Sequence, residues 1–148
     1  MNLPLKTLRK QGFTLIELLI VIAVISILAS LILAASGSVQ KKGARSRAES
    51  EIAAVAAALE SYKADNGDYP ASSGSSLALV TNLMPPAGTG KVYFEFKPKY
   101  TNAGGWIDPF GGTYQYVYTN GSANNGTNNY DLWSTAGSGN SNAWIKNW

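Results

Sequence analysis

One acidic side chain of this sequence lies where a charge costs free energy, and its position points to a specific role. Glu17 is the only charged residue between Gly12 and Gln40, and apolar residues precede and follow it. A carboxylate among apolar neighbours is costly to desolvate, so it marks a function and needs a partner, unless it merely lies at headgroup level.

The sequence lacks the residue sets that enzymes use. Its 148 residues include no Cys and no His, which excludes disulfides, thiolate nucleophiles, Cys/His zinc sites and every triad that needs imidazole. Asp65, Asp68 and Asp108 are spread through turn sequences with no adjacent nucleophile or base. We therefore expect no catalytic residues and no enzymatic activity.

The net charge of +3 comes from the first twelve residues. Twelve basic residues face nine acidic ones, and Lys6, Arg9 and Lys10 supply the whole excess. Beyond residue 12 the charges balance at nine against nine. A protein that binds nucleic acid needs Lys and Arg contacts with phosphate, so we expect no nucleic-acid partner.

A membrane segment follows Glu17. Leu18–Ala35 is an apolar run broken by two serines, and as a helix it is about 27 Å long, close to the thickness of a hydrocarbon core. The run is longer than the apolar region of a secretory signal. Basic residues flank both ends, so their count does not settle the orientation; because only a short segment precedes the span, we expect a cytoplasmic N-terminus.

The helix is expected to continue beyond the membrane segment as an amphipathic half. Residues 39–64 are rich in good helix formers, and Ile52, Val55, Leu59 and Tyr62 form an apolar stripe on one face. Asn66-Gly67 is a stop signal, so the sequence predicts one helix of about fifty residues, with a soft spot at residues 36–38.

The C-terminal part is predicted to form a small antiparallel sheet. Alternating side chains predict strands at 92–96 and 114–118, and a third strand at 130–133 follows the polar loop 120–129. Three strands could bury one face on the apolar stripe. The predicted fold class is therefore α+β, a lollipop with a long N-terminal helix packed on the sheet.

The N-terminal residues resemble a known processing signal. Residues 9–22 read RKQGFTLIELLIVI, and this string resembles the type III signal of type IV pilins and of type II secretion pseudopilins. The resemblance implies that a prepilin peptidase cuts after Gly12 and methylates the new amine of Phe13. Glu17 would then pair with the α-amine of Phe13, in the same or an adjacent subunit, and set the register of a helical filament.

Four segments of the C-terminal part resemble the major pseudopilin of type II secretion, in the order of that family. They are DNGDYP at 65–70, WIDPFGGTYQY at 106–116, YDLWS at 130–134 and IKNW at 145–148. Type IV pilins usually close this region with a disulfide, which a chain without Cys cannot form. The resemblance therefore favours a pseudopilin with a pilin-like fold.

The pseudopilin resemblance also raises the question of calcium. In that family, aspartates in the loop after the Tyr-Asp-Leu strand bind the ion. Here the loop is Thr135–Ala143, with Ser138 about where a family Asp would stand and Ala143-Trp144 in place of an acidic pair. Calcium needs six to eight oxygens and binds better to charged ligands, so we expect no cofactor, with calcium kept open by the resemblance alone.

These observations predict a filament subunit with three regions: a cleaved leader at 1–12, a transmembrane and filament-core helix at 13–38, and a periplasmic head at 39–148. The head contains the amphipathic helix 39–66 and the β-sheet region 90–148. The protein is expected in the inner membrane as a single-pass precursor, and in a periplasmic pseudopilus after assembly.

The expected function is that of a structural subunit of the pseudopilus, which polymerises through its N-terminal helix and helps to drive protein export. Its expected partners are further copies of itself, the prepilin peptidase, the minor pseudopilins and the inner-membrane assembly platform. Two alternatives stay open: a type IV or competence pilin of a surface filament, and a membrane-anchored periplasmic binding module that does not polymerise.

Overall fold

The computed structural model describes residues 12–119 and 124–148. It contains two α-helices, α1 Leu15–Asn66 and α2 Leu77–Leu83, and two 3₁₀ turns, Pro98–Tyr100 and Ser141–Ala143. The six strands are β1 Ser72–Ser73, β2 Thr101–Asn102, β3 Gly105–Trp106, β4 Gln115–Tyr118, β5 Asp131–Ser134 and β6 Ile145–Lys146. The predicted leader lies outside the described residues except for Gly12, and so do residues 120–123 of the predicted polar loop.

The chain divides into two compact units at residues 40 and 41. In the first unit, every residue of α1 up to Leu33 is exposed, including large apolar side chains such as Leu19, Ile25 and Leu31. This part of α1 is long and apolar enough to cross a membrane, judged by length and composition only. The predicted soft spot at 36–38 lies within α1, whose helical backbone runs through it.

The second unit, residues 41–148, contains the hydrophobic core. Ala48, Ile52, Val55 and Leu59 are buried on one face of α1, and Tyr62 is partly buried beside them. A four-stranded antiparallel sheet of order β1-β4-β5-β6 and the hairpin β2-β3 supply the other core residues. The prediction of an α+β fold in which a long N-terminal helix packs on a small antiparallel sheet is confirmed.

The predicted end of α1 is confirmed as well. Gly67 adopts a left-handed φ of 85°, and its N–H donates to the Lys63 carbonyl at 2.8 Å. Asn66 adds a second cap, because its Nδ2 donates to the Tyr62 carbonyl at 2.9 Å. A left-handed glycine directly after the last turn is the usual way in which a helix C-terminus is closed.

The predicted strand at 92–96 is wrong. The N–H groups of Tyr93 and Phe94 both donate to the Leu83 carbonyl, at 2.8 and 3.2 Å, so this segment bonds to the end of α2 instead of to a strand. The alternation that suggested a strand reflects aromatic packing: the rings of Phe94 and Phe96 lie edge to face, with centroids 4.8 Å apart. Two-residue strands at either edge of the sheet, β1 and β6, were not predicted.

Candidate functional sites

The N-terminus of α1 is closed by a capping box that involves Glu17. Thr14 donates to Glu17 Oε2 twice, from its backbone N–H at 2.8 Å and from its hydroxyl at 2.7 Å. The Glu17 N–H is directed back at Thr14 Oγ1, at 3.3 Å. The motif Thr-x-x-Glu before an apolar run is a sequence signal for a helix start, and it identifies Thr14 as a site residue that the interpretation of Glu17 as an isolated charge missed.

The three predicted processing and assembly residues lie at the start of α1. Gly12 and Phe13 precede the helix in an irregular, exposed segment, and Glu17 occupies its first turn. The described hydrogen bonds of Glu17 use Oε2 only, so Oε1 has no partner among the described residues. The roles of Gly12, Phe13 and Glu17 in cleavage, methylation and assembly stay predictions.

The two serines of the apolar segment do not break its helical character. Ser26 donates its hydroxyl to the Ile22 carbonyl, and Ser30 donates to the Ile27 carbonyl, each at 2.7 Å. Hydroxyl groups bonded to the preceding turn add no unpaired donor to an apolar environment. The two serines therefore do not prevent this segment from lying in an apolar environment.

In the head, tyrosines on β4 attach the sheet to α1. Tyr114, which directly precedes β4, is fully buried and donates its hydroxyl to Glu51 Oε2 at 2.7 Å. Glu51 also accepts from Arg47 Nε at 2.7 Å, one helical turn earlier. Burial, and then the hydrogen bond to Glu51, raises the pKa of Tyr114 above its ordinary value. Glu51 thus bridges the helix and the sheet.

The next two inward tyrosines hold the chain that leaves α1. Tyr116 is fully buried and donates to the Pro70 carbonyl at 2.8 Å, and the Tyr118 hydroxyl donates to Asp68 Oδ1. The hydrogen bond from Tyr118 lowers the pKa of Asp68, and the same bond raises the pKa of Tyr118. Tyr69, between the two acceptors, donates to Glu60 Oε1 at 2.7 Å. The helix exit DNGDYP and the strand YQYVY are therefore one structural unit.

The turn between β3 and β4 is organised by the buried carboxylate of Asp108. Its Oδ1 accepts from the backbone N–H groups of Phe110 at 3.0 Å and Gly112 at 2.8 Å. Its Oδ2 accepts the hydroxyl of Ser134 from β5 at 2.5 Å, and Ser134 Oγ in turn accepts from the Ala136 N–H at 3.0 Å. Asp108 therefore joins its own turn to the start of the loop 135–143.

Asn147, which follows β6, forms hydrogen bonds to β5 with both its backbone and its side chain. The Leu132 N–H donates to Asn147 Oδ1 at 2.8 Å, while the Asn147 N–H donates to the Leu132 carbonyl at 3.1 Å. Asn147 Nδ2 also donates to the Tyr130 carbonyl at 3.1 Å. The position needs a side chain that can both accept and donate a hydrogen bond, and the amide of Asn147 does both.

The described residues do not fit a calcium site at the loop 135–143. The loop has no acidic residue, and no group of three or more His, Cys, Asp or Glu within residues 12–119 and 124–148 could hold a metal ion. The buried carboxylates of Asp108 and Asp131 each accept three hydrogen bonds from protein donors; those of Asp131 come from the N–H groups of Asn124 and Asn125 at 2.7 to 3.1 Å. Neutral oxygens alone bind calcium weakly.

Comparison with known protein families gives two matches. Residues 37–148 match the family described as type II secretion system (T2SS), protein G, and residues 7–33 match the prokaryotic N-terminal methylation motif. The second match contains Gly12, Phe13, Thr14 and Glu17.

Curated relatives with the same description match the chain over about three quarters of their length. The chain is 34% identical to the type II secretion system core protein G of Vibrio cholerae over 119 residues, which covers 76% of this chain and 75% of the relative. It is 35% identical to that of Pseudomonas aeruginosa over 114 residues, with 74% of each chain covered. It is 36% identical to that of Aeromonas hydrophila, also over 114 residues, with 74% and 73% covered. Together with the four C-terminal segments and the capped apolar helix, these matches show that the chain belongs to the type II secretion protein G family, the major pseudopilins.

Proposed function

We propose that this protein is a structural subunit of a type II secretion pseudopilus, anchored in the inner membrane before assembly and polymerised through the apolar half of α1. The observation that carries the proposal is the exposed apolar surface of residues 15–33, which contains a single carboxylate, that of Glu17, near its start. Such a surface is stable in lipid or against copies of itself, and about 28 Å of helix is enough to span a hydrocarbon core. Family membership supports the same function, whereas no feature of the described residues favours a surface pilin or a binding module.

Processing is the first part of the proposal. A prepilin peptidase is proposed to cut after Gly12 and to methylate the amine of Phe13, and the matched methylation motif supports this reaction. Both residues lie in an exposed segment ahead of the helix, where a peptidase can reach the bond. The leader is proposed to stay in the cytoplasm, and the head to lie in the periplasm.

Neutralisation of Glu17 is the second part. Thr14 engages Oε2, which leaves Oε1 to accept from an amine of Phe13 in the same or a neighbouring subunit. An ion pair in an apolar environment is stabilising only when both charges are matched, because an unpaired charge there costs several kcal/mol. A misplaced subunit would leave both charges unpaired, so this pair would fix the axial register of the filament.

A matched pair of substitutions separates the charge of Glu17 from its capping role. Glu17→Gln keeps a side chain that can complete the capping box but removes the charge, whereas Thr14→Ala removes the cap, at a cost of about 1 kcal/mol, and keeps the charge. We expect Glu17→Gln to insert into the membrane normally but to form no pseudopili, and Thr14→Ala to assemble. Sheared filaments and membrane fractions, quantified by immunoblot, measure both outcomes.

Two results would count against this proposal. Wild-type assembly by Glu17→Gln would exclude the charge as the register element, and failure of Thr14→Ala to assemble would contradict the expectation that assembly does not need the cap. Mass spectrometry of the mature chain tests processing separately: the expected N-terminus is a methylated Phe13, and an unmethylated one or one near Ser36 would contradict it.

A further inference from the structure

The loop 135–143 is closed by contacts that the sequence did not predict. Thr135 and Ser138 form a tight turn in which the Ser138 N–H donates to the Thr135 carbonyl at 2.9 Å. The two central residues, Ala136 and Gly137, have φ values of 51° and 67°, as in a type I′ turn. The turn fixes the direction of the Ser138 carbonyl, which is directed back towards the end of the loop.

Two donors from the protein bind carbonyl oxygens of this loop. Trp144 Nε1 donates to the Ser138 carbonyl at 2.9 Å, across the mouth of the loop. Arg45 Nη1, from α1, donates to the Ala143 carbonyl at 3.0 Å. We call these two contacts the carbonyl clamp. Each of these two carbonyl oxygens therefore already accepts from an N–H group of the protein.

Aromatic packing positions the indole of Trp144. Its ring lies nearly parallel to that of Trp133, with centroids 6.0 Å apart and an interplanar angle of 14°. Trp148 meets Trp133 edge to face at 5.7 Å, and Lys146 Nζ lies 5.7 Å from the Trp144 ring. The indole is therefore fixed on β5 and β6, and its N–H group reaches the loop without needing to reorient.

The ring that packs against Trp144 also carries a hydrogen-bond donor. Trp133 Nε1 is buried and has no hydrogen-bond partner among the described residues. An N–H group cannot ligate a cation, because it has no lone pair to offer. The local chemistry around the loop thus supplies donors where a metal site needs oxygen ligands.

We propose that the carbonyl clamp of Trp144 and Arg45 holds the 135–143 loop closed in the role that calcium has in related pseudopilins, so that the head of this protein is stable without calcium. The residue at the position of the family's acidic pair supplies an N–H donor in place of a carboxylate. This inference concerns the folded head and does not depend on the filament assembly proposed above.

The calcium part of the proposal is tested on the mature full-length chain in detergent. Thermal unfolding is followed by near-ultraviolet circular dichroism, in excess EGTA and in millimolar CaCl₂. We expect the same Tm in both, within about 1 °C, because a ligand raises stability only when it binds the folded state. A Tm several degrees higher with calcium than with EGTA would overturn the proposal.

The clamp part is tested with two equivalent substitutions within one aromatic pair. Trp144→Phe removes an N–H group that donates, and Trp133→Phe removes one that has no partner; both replace an indole by a phenyl ring. We expect Trp144→Phe to lower Tm by about 4 °C more than Trp133→Phe. Trp144→Phe should also open the loop to limited proteolysis.

Equal Tm values for these two variants would mean that the Trp144 N–H group adds no stability beyond ring packing, and would overturn the clamp. The Arg45 contact is tested in the same way: Arg45→Gln should make the loop more sensitive to protease than Lys42→Gln, which removes a neighbouring charge. Equal sensitivity would exclude Arg45 from the clamp.

Discussion

The buried carboxylate of Asp108 gives the strongest stability prediction in the head. Asp108→Asn changes one atom of the side chain, so the volume of the site is conserved. The amide oxygen can still accept from the N–H groups of Phe110 and Gly112, but without the charge that strengthens both bonds. The amide nitrogen then faces Ser134 Oγ, which can accept from it but loses the acceptor for its own hydrogen.

The expected magnitude follows from these three changes. Each weakened charge-assisted bond costs about 0.5–1 kcal/mol, and the orphaned hydroxyl hydrogen of the fully buried Ser134 costs about 1 kcal/mol or more. The free energy of unfolding should fall by about 2–3 kcal/mol. For a head of this size the corresponding fall in Tm is about 8–12 °C.

A double-mutant cycle separates the orphaned hydroxyl from the weakened bonds. Ser134→Ala by itself leaves Asp108 Oδ2 with one donor fewer and the Ala136 N–H without its acceptor. Each single substitution breaks the bond from the Ser134 hydroxyl to Asp108 Oδ2, so the sum of the two losses counts this bond twice. The loss in the double variant with Asn at 108 and Ala at 134 should therefore be smaller than the sum, by about 1 kcal/mol, even though the amide N–H at 108 then has no Ser134 oxygen to donate to. Urea unfolding of the mature chain measures the free energy of unfolding of all four proteins, and thermal unfolding measures their Tm values. A Tm for Asp108→Asn within 1 °C of the wild type, or strict additivity, would refute the reasoning.

Two further predictions concern the loop turn and the buried tyrosines. Ala136→Gly should raise the free energy of unfolding by about 0.5–1 kcal/mol, because a positive φ strains an L-residue, and Ala136→Val should lower it; urea unfolding decides the sign. Burial raises the pKa of Tyr130 to about 12 and also raises the pKa values of Tyr114 and Tyr116. Since these folded-state pKa values exceed the unfolded value near 10, the stability contribution is complete below pH 10 and is lost as pH rises through the folded pKa. At pH 11 each such tyrosine should cost about 1.4 kcal/mol, visible as cooperative alkaline unfolding at 295 nm, whereas independent titration near pH 10 would contradict it.

The elements that the sequence predicted are those with local causes. The helix end depends on Asn66-Gly67, and the buried face of α1 depends on helical spacing. The strand β4 depends on alternating tyrosines. Each of these patterns can be recognised within a short stretch of sequence. β1 and β6 are two residues long, and they exist because the edges of β4 and β5 offer them partners. No local pattern encodes such a partner.

The candidate sites divide in the same way. The capping box of Thr14 and Glu17 is a local motif, but the interpretation of Glu17 as a charge that pairs with the α-amine of Phe13 did not consider Thr14 as a partner. The hydrogen bonds of Tyr114 to Glu51 and of Trp144 to Ser138 depend on how β4 and β6 pack after folding. Spacing alone could place these side chains in the core or near the loop, but it could not select their acceptors.

The distribution of partners among the carboxylates gives Glu17 its significance. Seven acids of the head bind a protein donor: Glu49, Glu51, Glu60, Asp65, Asp68, Asp108 and Asp131. Glu95 is exposed on a polar surface, where water satisfies a carboxylate without any partner. Glu17 alone combines an oxygen that has no described partner with an apolar segment that excludes water once it is buried. Under the proposed function, this oxygen is the one that accepts from another charged group, and cleavage after Gly12 would make the amine of Phe13 the nearest candidate.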